Sequence, residues 1–351
     1  MSTKNKLTLD ELRYRQSMPL DIKVMMTKAR IREFCSEYSN NNLYVSFSGG
    51  KDSTVLMHII REQMGLDLKA VFLDTWMEYP EVRAFVKTFD NVDIIKPEKT
   101  MKEIITQYGW NFPSKDVAEM IEAARRDVPW AINKLNGLDK DGKPSKFREQ
   151  YKKWWPLVDS PFLISNKCCI QMKERPVAKY EKETGRHPII AIMADESARR
   201  KEAYLRTGCN SFDKRKVFDS ETGEYIMVGS DRPMSKPMGF WTENDVLQYI
   251  YENKLEIAAP YGAVVEENQL DGQMNLFDMG CTGNCQGCKF KTTGEKRTGC
   301  VFCPVGCHLD KFAKFKRLKE THPKLYEYCM DELGARDVLS WIDKHYVSNA
   351  A

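Results

Sequence analysis

The sequence lacks a long apolar run and a strong excess of either charge. No stretch approaches the ~18 apolar residues of a membrane span, and residues 1–30 are too polar and charged for a signal peptide. Lysine and arginine total 54 against 50 aspartates and glutamates, so the net charge of +4 does not by itself imply a nucleic-acid partner. Internal repeats are also missing. These absences predict a globular, cytoplasmic protein without a membrane partner.

Cysteine, by contrast, is plentiful. A cytosolic compartment keeps thiols reduced, so the eleven cysteines favour metal or sulfur chemistry over a disulfide framework. With 351 residues and 42% apolar content, the chain can form one large decorated α/β domain or two domains.

Hydrophobic patterns alternate between strand and helix periods over the first half of the chain. The patterns predict helices over 20–38, 53–64 and 79–89 and strands over 43–47, 70–74, 92–95 and 188–193. Such alternation implies right-handed crossovers and a parallel sheet, whose ligands bind at the carboxyl ends of the strands. We therefore predict an α/β fold with a parallel sheet.

Four segments are expected along the chain. They are an N-terminal helical lead-in (1–40), a parallel-sheet domain (41–260), a cysteine-rich module (261–309) and C-terminal helices (310–351). A helical insertion is expected at about 109–165, with a polar break over 137–144. Thr242 is predicted to cap a helix, with Asp245 at the position usually held by Glu or Gln.

A glycine-rich loop lies between the first predicted strand and the helix that follows it. Its sequence is Ser48-Gly49-Gly50-Lys51-Asp52-Ser53-Thr54. Backbone N–H groups at a helix N-terminus, a lysine and two serine hydroxyls suit a phosphate group. A Walker A loop would need glycine where Val45 stands, so the sequence predicts another kind of phosphate loop. A fortuitous glycine turn is the alternative.

Asp74 follows the next predicted strand. This position predicts an aspartate that faces the same nucleotide, and a turn or N-cap aspartate is the alternative.

The loop resembles the PP-loop of the adenine nucleotide alpha hydrolase (HUP-like) ATP pyrophosphatases. The resemblance implies that Ser48, Gly49, Gly50, Lys51, Asp52, Ser53, Thr54 and Asp74 bind ATP. It also implies that Lys51 and Asp52 are catalytic and that ATP is cleaved to AMP and pyrophosphate. Mg²⁺ is expected with ATP to offset the phosphate charge.

Two groups of cysteines make the resemblance more specific. The adjacent pair Cys168-Cys169 and the later Cys300-Val301-Phe302-Cys303 accompany the loop. Together they resemble the phosphoadenosine phosphosulfate (PAPS) reductase family in its broad sense, over roughly residues 40–330. In cluster-bearing members four cysteines hold a [4Fe-4S] cluster. The resemblance therefore implies cluster ligation by Cys168, Cys169, Cys300 and Cys303.

Further segments match the same family. They are Asp195-Glu196-Ser197-x2-Arg200 and Pro237-Met238-x2-Trp241-Thr242-x2-Asp245-Val246. The resemblance implies that Lys173 and Arg200 are catalytic cations beside the nucleotide or the cluster. The alternative is that both are surface cations on helices.

A zinc site competes for two of these cysteines. The spacing Cys285-x2-Cys288-x11-Cys300-x2-Cys303 is typical of a structural Zn²⁺ site, although it leaves Cys168 and Cys169 unexplained. If the cluster takes the first set, a second metal or sulfur site remains for Cys281, Cys285, Cys288 and Cys307. The remaining cysteines are expected to be buried thiols, namely Cys35, Cys209 and Cys329.

Two departures from the sulfonucleotide reductases bear on function. Those enzymes attack with a cysteine in a C-terminal tail, and this sequence has no cysteine after Cys329. They also generally lack the intact loop, because their substrate arrives activated. The combination of an intact PP-loop with cluster-type cysteines is closest in kind to DndC-like DNA phosphorothioation proteins and cluster-dependent tRNA thiolases.

The thiolating resemblance implies a sulfurtransferase mechanism. ATP adenylates an acceptor oxygen, and a sulfur nucleophile then displaces AMP. The expected partners are DNA or tRNA, a cysteine desulfurase or other sulfur donor, and a ParB-like or nickase protein.

Other functions stay open at this point. One is a phosphoadenylyl- or adenylyl-sulfate reductase, or an ATP sulfurylase-like enzyme of sulfate assimilation, since 195–202 resembles the sulfurylase catalytic subunit. Another is a non-catalytic ATP-sensing regulator that binds nucleic acid. Nucleic-acid contacts are suggested by 152–155 and 311–319, where cations stand beside aromatic residues. The helical spacing of Phe312, Phe315 and Leu318 also fits an ordinary core stripe.

Overall fold

The structure is a computed structural model that describes residues 6–139, 141–146, 148–219, 224–267 and 288–348. The chain divides into two compact units, each assembled from separate segments. Unit 1 consists of the described residues within Met1–Asp74, Glu78–Ile95 and Lys179–Thr298. Unit 2 consists of those within Thr75–Met77, Lys96–Ala178 and Gly299–Ala351. The four linear segments expected from the sequence stay a prediction.

Strands occur only in unit 1 among the described residues. In chain order they are β1 (Leu43–Ser46), β2 (Lys69–Leu73), β3 (Val92–Ile95), β4 (His187–Ile190), β5 (Asn210–Ser211), β6 (Arg215–Asp219), β7 (Glu224–Val228), β8 (Met234–Ser235), β9 (Val264–Glu266) and β10 (Phe290–Thr292).

Helices are found in both units. In chain order they are α1 (Leu9–Gln16), α2 (Leu20–Glu37), α3 (Lys51–His58), α4 (Pro80–Val86), α5 (Met101–Tyr108), α6 (Lys115–Ala124), α7 (Pro129–Leu135), α8 (Arg148–Lys152), α9 (Lys167–Cys169), α10 (Arg175–Thr184), α11 (Ala198–Thr207), α12 (Glu243–Glu252), α13 (Ala313–Thr321), α14 (Pro323–Glu327) and α15 (Ala335–Tyr346).

A six-stranded sheet organises unit 1, in the order β3-β2-β1-β4-β8-β5. All neighbouring pairs are parallel except β5 and β8. Strand β1 lies inside the sheet, with Val45 opposite Ala70 of β2 and Ile189 of β4. Its first three residues are buried, as expected of a strand covered on both faces. The predicted α/β fold with a parallel sheet is confirmed.

The core of unit 1 lies between this sheet and the helices that cover it. Buried side chains include Ile31 and Phe34 of α2, Val55 of α3 and Val246 of α12. Their burial brings helices from distant parts of the sequence onto the sheet. The carboxyl end of β1, where the glycine-rich loop begins, is thereby held by packing on both sides of the sheet.

Unit 2 is helical. The region 109–165 contains α6, α7 and α8, and Leu138 forms a β-bridge with Pro144. The helical insertion stays a prediction. Trp154 is buried against Phe112 and Tyr346. No helix among the described residues combines the length and apolar character needed to cross a bilayer.

Several boundaries differ from the sequence expectation. Helix α3 begins at Lys51, two residues earlier than expected, because Gly50 takes the extended conformation of an N-cap. Strand β4 ends at Ile190, because Ile192 donates its N–H back to the Ile190 carbonyl at 2.9 Å. The strands β5 to β10 are short and were not expected. The predicted capping box is confirmed: the Thr242 hydroxyl accepts from Asp245 N–H, and the Asp245 carboxylate accepts from Thr242 N–H.

Asp245 also forms an ion pair with a buried lysine, so substitution of Asp245 tests this part of the fold. Lys23 is 2% exposed, and its ammonium donates to both Asp245 carboxylate oxygens at 2.8 and 2.7 Å. Asp245→Ala removes a helix cap and leaves the ammonium buried without its counter-charge. We expect urea denaturation to show a loss of about 3–5 kcal/mol in the free energy of unfolding.

Asp10→Ala is the control, because Asp10 pairs with Arg13 on an exposed helix surface. It should change the free energy of unfolding by about 0.5 kcal/mol or less. Equal urea midpoints for the two variants would contradict the structural role given to Asp245.

Candidate functional site

The glycine-rich loop turns sharply between β1 and α3. Gly49 has φ +68°, which favours glycine, and a Cβ there would stand 2.7 Å from Val86 Cγ2 and 2.9 Å from Val82 Cγ1. Both valines belong to α4 and are buried. The backbone therefore approaches α4 more closely than any residue with a side chain would allow.

Hydroxyl groups hold the loop in shape. The Ser48 and Ser53 oxygens lie 3.1 Å apart, and Gly50 donates its N–H to the Ser48 hydroxyl at 3.3 Å. The Ser53 and Thr54 hydroxyls donate to the Gly50 carbonyl at 2.9 and 3.0 Å. These bonds fix the first turn of α3, whose N-terminal N–H groups form the kind of site that binds phosphate.

Lys51 is buried at the start of α3 and is held by residues from far along the chain. Its ammonium donates to Glu243 Oε1 at 2.6 Å and to the Lys296 carbonyl at 2.7 Å. Its backbone N–H donates to the Tyr261 hydroxyl at 3.4 Å, and that hydroxyl lies 2.7 Å from Thr298 Oγ1. A charged group is thus fixed at the loop by three other segments of unit 1.

Asp52 is a half-buried residue beside the same loop, and its Oδ1 atom is buried. Its Oδ1 atom has no hydrogen-bond partner among the residues that the structure describes. Burial raises the pKa of Asp52, and Lys51 opposes the shift while the Glu243 carboxylate adds to it. Two further cations, Arg297 and Arg200, also act to lower the Asp52 pKa. Carboxylate and cations therefore converge at the N-terminus of α3.

This arrangement fits ATP with Mg²⁺. A carboxylate oxygen with unused lone pairs is a ligand that Mg²⁺ prefers. A Cβ at Gly50 would lie 3.2 Å from both the Ser48 hydroxyl and the Tyr261 hydroxyl, so glycine keeps this part of the loop open. Residues Ser48 to Thr54 are all brought together here, and their assignment to ATP stays a prediction.

Asp74 and Arg200 occupy different surroundings in unit 1. Asp74 is buried after β2 and accepts a hydrogen bond from Arg83 at 2.9 Å. It does not cap α4, whose N-cap is Tyr79. Arg200 lies in the first turn of α11 and forms an ion pair with Glu196, which precedes that helix. Desolvation and then the charge of Arg297 lower the pKa of Arg200, so two guanidinium groups stand close enough to repel each other.

Four cysteines converge in unit 2. Cys168 and Cys169 belong to α9, and Cys300 and Cys303 lie in a turn closed by Cys303 N–H to the Cys300 carbonyl at 3.2 Å. The hydrogen bond with Cys169 and then burial raise the pKa of Cys168, and the charges of Cys169, Cys303 and Cys300 add to this rise. The four residues for which a cluster was expected thus lie in one unit, and their role as ligands stays a prediction.

The pKa of Cys169 is shifted in the opposite direction to that of Cys168. The Cys169 pKa is lowered first by a hydrogen bond from Cys168, which raises the Cys168 pKa in turn. Lys115 and Lys173 also lower the Cys169 pKa by their charge, which places Lys173 beside the thiols as a neighbouring cation. The Asn111 amide donates to Cys169 Sγ at 3.8 Å.

The metal assignments stay predictions. In the described part of the chain, no group of three or more His, Cys, Asp or Glu side chains is arranged to hold a single metal ion. The thiols at Cys168, Cys169, Cys300 and Cys303 nevertheless have the donor chemistry that a [4Fe-4S] cluster requires. The described cysteines form no disulfide with one another.

The remaining cysteines divide between the units. Cys281 and Cys285 lie outside the described residues, Cys288 belongs to unit 1, and Cys307 is buried in unit 2. Of the expected buried thiols, Cys209 and Cys329 are buried and Cys35 is half-buried.

A family model of the phosphoadenosine phosphosulfate reductase domain matches residues 42–308. The chain belongs to the PAPS reductase family. It is therefore also a member of the PP-loop superfamily, and its glycine-rich loop at 48–54 is called the PP-loop.

Relatives of this PAPS reductase family protein include two uncharacterized proteins of Methanocaldococcus jannaschii. One is 24% identical over 301 residues, covering 86% of this chain and 49% of the relative. The other is 38% identical over 98 residues, covering 27% of this chain and 18% of the relative. The chain thus spans about half the length of the first relative and less of the second.

A solved structure is also similar to this chain. It is the crystal structure of phosphoadenylyl-sulfate (PAPS) reductase from Candida auris in a phosphate complex. The TM-score is 0.35 at 13% identity, and the match covers 72% of this chain and 90% of that one.

Several residues of the PP-loop surroundings were not found from the sequence. Glu243 stands inside the recognised capping box, where it reads as an ordinary first-turn acid. Arg297 and Tyr261 carry no motif of their own. The one available signal was that Lys296-Arg297 is a cationic pair just before Gly299-Cys300.

Gly49→Ala tests the close approach of the loop to α4. The variant should weaken ATP binding and lower the free energy of unfolding, because the added Cβ collides with Val82 and Val86. Isothermal titration with ATP and urea denaturation measure the two effects. Strain at positive φ alone costs about 1 kcal/mol.

Gly65→Ala is the matched control. Gly65 has φ +64°, and a Cβ there would meet nothing within 4 Å. It shares the backbone strain but not the collision, so its ATP affinity should equal that of the wild type. Identical behaviour of the two variants would show that the contact with α4 does not shape the loop.

Proposed function

We propose that this PAPS reductase family protein is an ATP pyrophosphatase that adenylates a nucleic acid and then passes sulfur to it. The observation that carries the proposal is the PP-loop of unit 1. At this loop Gly49 makes a turn that has no room for a Cβ. The buried Lys51 ammonium and Asp52 Oδ1, which has no hydrogen-bond partner among the described residues, lie at the same loop. DNA phosphorothioation, in the manner of DndC-like proteins, and tRNA thiolation are the two reactions of this kind.

The PP-loop supports cleavage between the α- and β-phosphates. Loop N–H groups and Lys51 bind the β- and γ-phosphates, so negative charge that develops on departing pyrophosphate meets positive groups already in place. An acceptor oxygen attacks the α-phosphorus, the α–β bond breaks, and AMP stays on the acceptor. Bound Mg²⁺ would be held by Asp52 and would offset phosphate charge.

For Lys51 to bind phosphate, its ion pair with Glu243 must weaken or break. The Glu243 side chain is 46% exposed, whereas that of Lys51 is 5% exposed. Glu243 is therefore the partner that can turn into solvent, while the lysine stays at the loop. Arg200 and Arg297 then stand as further cations for the α-phosphate or the acceptor.

The thiols of unit 2 support the sulfur step. Cys169 is well prepared as a ligand, because a hydrogen bond from Cys168 and the nearby charges of Lys115 and Lys173 favour the thiolate form that binds metal. When bound, a [4Fe-4S] cluster on Cys168, Cys169, Cys300 and Cys303 would supply a metal-bound position for sulfur. Sulfur held at this site displaces AMP from the acceptor.

Partners and location complete the proposal. A cysteine desulfurase or another donor supplies the sulfur, a ParB-like or nickase protein takes part in the DNA reaction, and the reaction takes place in the cytoplasm.

In each of the two basic segments, 152–155 and 311–319, some of the residues suggested for nucleic-acid contact are exposed and others are buried. Phe315 and Leu318 are buried, so they form a core stripe, while Lys311, Lys316 and Lys319 are exposed. Trp154 is buried and Trp155 is exposed.

The ATP chemistry is tested by product analysis. Wild-type protein should release pyrophosphate and AMP from ATP in the presence of acceptor nucleic acid. Lys51→Ala and Asp52→Asn should reduce the rate by about 10²–10³-fold, because each removes a charge that acts in the transition state. Lys87→Ala, at an exposed lysine after α4, should leave the rate unchanged.

The products also separate the competing functions. ADP and phosphate as products would contradict α–β cleavage. Formation of adenylyl sulfate from sulfate, with no thio-nucleotide lost from DNA or tRNA on deleting the gene, would favour the sulfurylase-like alternative. ATP binding without pyrophosphate release for any acceptor would favour the regulator.

The thiol site is tested by metal analysis of protein purified without oxygen. We expect about four irons per chain and broad absorbance near roughly 400 nm. Cys168→Ser and Cys303→Ser should lose most of the iron. Cys35→Ser should keep it, because Cys35 is a half-buried thiol of unit 1 outside the proposed ligand set. Zinc in place of iron would overturn the cluster.

A further inference from the structure

Tyr261 is a buried tyrosine of unit 1 that lies against the beginning of α3. It is 3% exposed, and the Lys51 ammonium lies over its ring, 5.7 Å from the ring centre. Its hydroxyl accepts the Lys51 backbone N–H at 3.4 Å and lies 2.7 Å from Thr298 Oγ1. One side chain therefore contacts both the main chain and the charged end of Lys51.

The contact between the ring and the ammonium is attractive. Burial raises the pKa of Tyr261, so the phenol stays neutral and offers the negative face of its ring. A cation within about 6 Å of such a face is stabilised, and the effect is stronger where water is excluded. The Lys51 side chain is 5% exposed, so little water reaches this contact.

The chain around Tyr261 is clamped against a second segment of unit 1. Gly294 donates its N–H to the Tyr261 carbonyl at 2.9 Å, and Glu295 donates its N–H to the Pro260 carbonyl at 2.8 Å. A Cβ at Gly294 would stand 2.3 Å from the Pro260 carbonyl oxygen, so the two segments leave no room for a side chain there. Close packing of this kind holds the Tyr261 ring at a fixed place beside the loop.

The partners of the Lys51 ammonium differ in what they do when phosphate binds. The Glu243 carboxylate is an anion and competes with phosphate for the lysine, and its side chain is 46% exposed and can turn away. The Lys296 carbonyl accepts one hydrogen bond and carries no net charge. The ring of Tyr261 attracts the ammonium without neutralising it, so its attraction remains when the carboxylate leaves.

We propose that Tyr261 is a positioning residue for the PP-loop lysine: its ring keeps the Lys51 ammonium at the loop when the phosphates of ATP replace Glu243. The inference rests on the proposed function, because it concerns the ATP site of that reaction. Tyr261 acts through Lys51 and needs no contact with ATP. Its effect must therefore depend on the charge distribution of the ring and not on the shape of the ring alone.

Two replacements of Tyr261 separate these properties. Tyr261→Phe keeps the ring and removes the hydroxyl, whereas a ring-fluorinated phenylalanine at the same position keeps the shape of Phe and weakens the negative face. Tyr180 is the matched control for both, because it is 8% exposed and Arg186 lies 6.0 Å from its ring centre. It packs against Tyr44 near the start of β1, whereas the loop follows the end of that strand.

The affinity for ATP with Mg²⁺, measured by isothermal titration, is the readout. We expect Tyr261→Phe to bind within about threefold of the wild type, and the fluorinated ring to bind about tenfold more weakly than Phe. In Lys51→Met the ammonium is absent, so fluorination at position 261 should change the affinity about twofold or less. The same replacements at Tyr180 should leave ATP affinity unchanged.

Equal ATP affinities of the Phe and ring-fluorinated proteins would overturn the role given to Tyr261. An equal loss of affinity in the Lys51→Met background would also overturn it, because the ring would then act by packing alone. ATP binding without pyrophosphate release for any nucleic acid would overturn the proposed function and leave the Tyr261 result standing. A wild type that binds no ATP would overturn both.

Discussion

The shape of the PP-loop depends on one close approach between backbone and side chains. Gly49 turns with positive φ directly against Val82 and Val86 of α4, where a Cβ has no room. This contact lets the chain leave β1 and enter α3 within a few residues. The N-terminus of α3 therefore sits at the carboxyl end of a central parallel strand, where α/β sheets bind their ligands. Packing of two valines thus decides where the N-terminal N–H groups of α3 lie.

The short loop has an electrostatic consequence. Because α3 begins at Lys51, both the ammonium of Lys51 and the carboxylate of Asp52 are drawn into the protein. A buried ammonium needs partners, and those of Lys51 come from positions far along the sequence, Glu243 and the Lys296 carbonyl being 192 and 245 residues away. The loop is therefore completed by α12 and by the segment before Thr298. A change in either segment acts on Lys51 without touching the glycine motif.

The thiols of unit 2 face a related charge problem. Cys168 and Cys169 are adjacent on one helical turn, so two thiolates there would repel each other strongly. Lys115, Lys173 and the Asn111 amide favour negative charge at Cys169, and Lys314 opposes the rise in the Cys303 pKa that burial causes. Four thiolates would need further positive charge, which is what metal ions supply to such a site.

The parts of the structure that were predictable from the sequence are those set by local pattern. The strands β1 to β4, the loop with its helix, and the Thr242 cap each depend on neighbouring residues, and each was placed within a few positions. The family followed from the same motifs, because the loop and the cysteine spacing are themselves local. The four cysteines were grouped only through resemblance, since nothing in their spacing brings Cys168 to Cys300.

Contacts between distant segments could not be predicted in this way. Glu243 looks like a helix-start acid, and only the fold shows that its carboxylate meets Lys51. Trp76 follows a strand, where a tryptophan is commonly buried, and only the fold turns it outward at positive φ. Both residues stand next to recognised motifs without belonging to them. Motifs specify the chemistry that a family shares, so the features that set this chain apart must be sought in such neighbours.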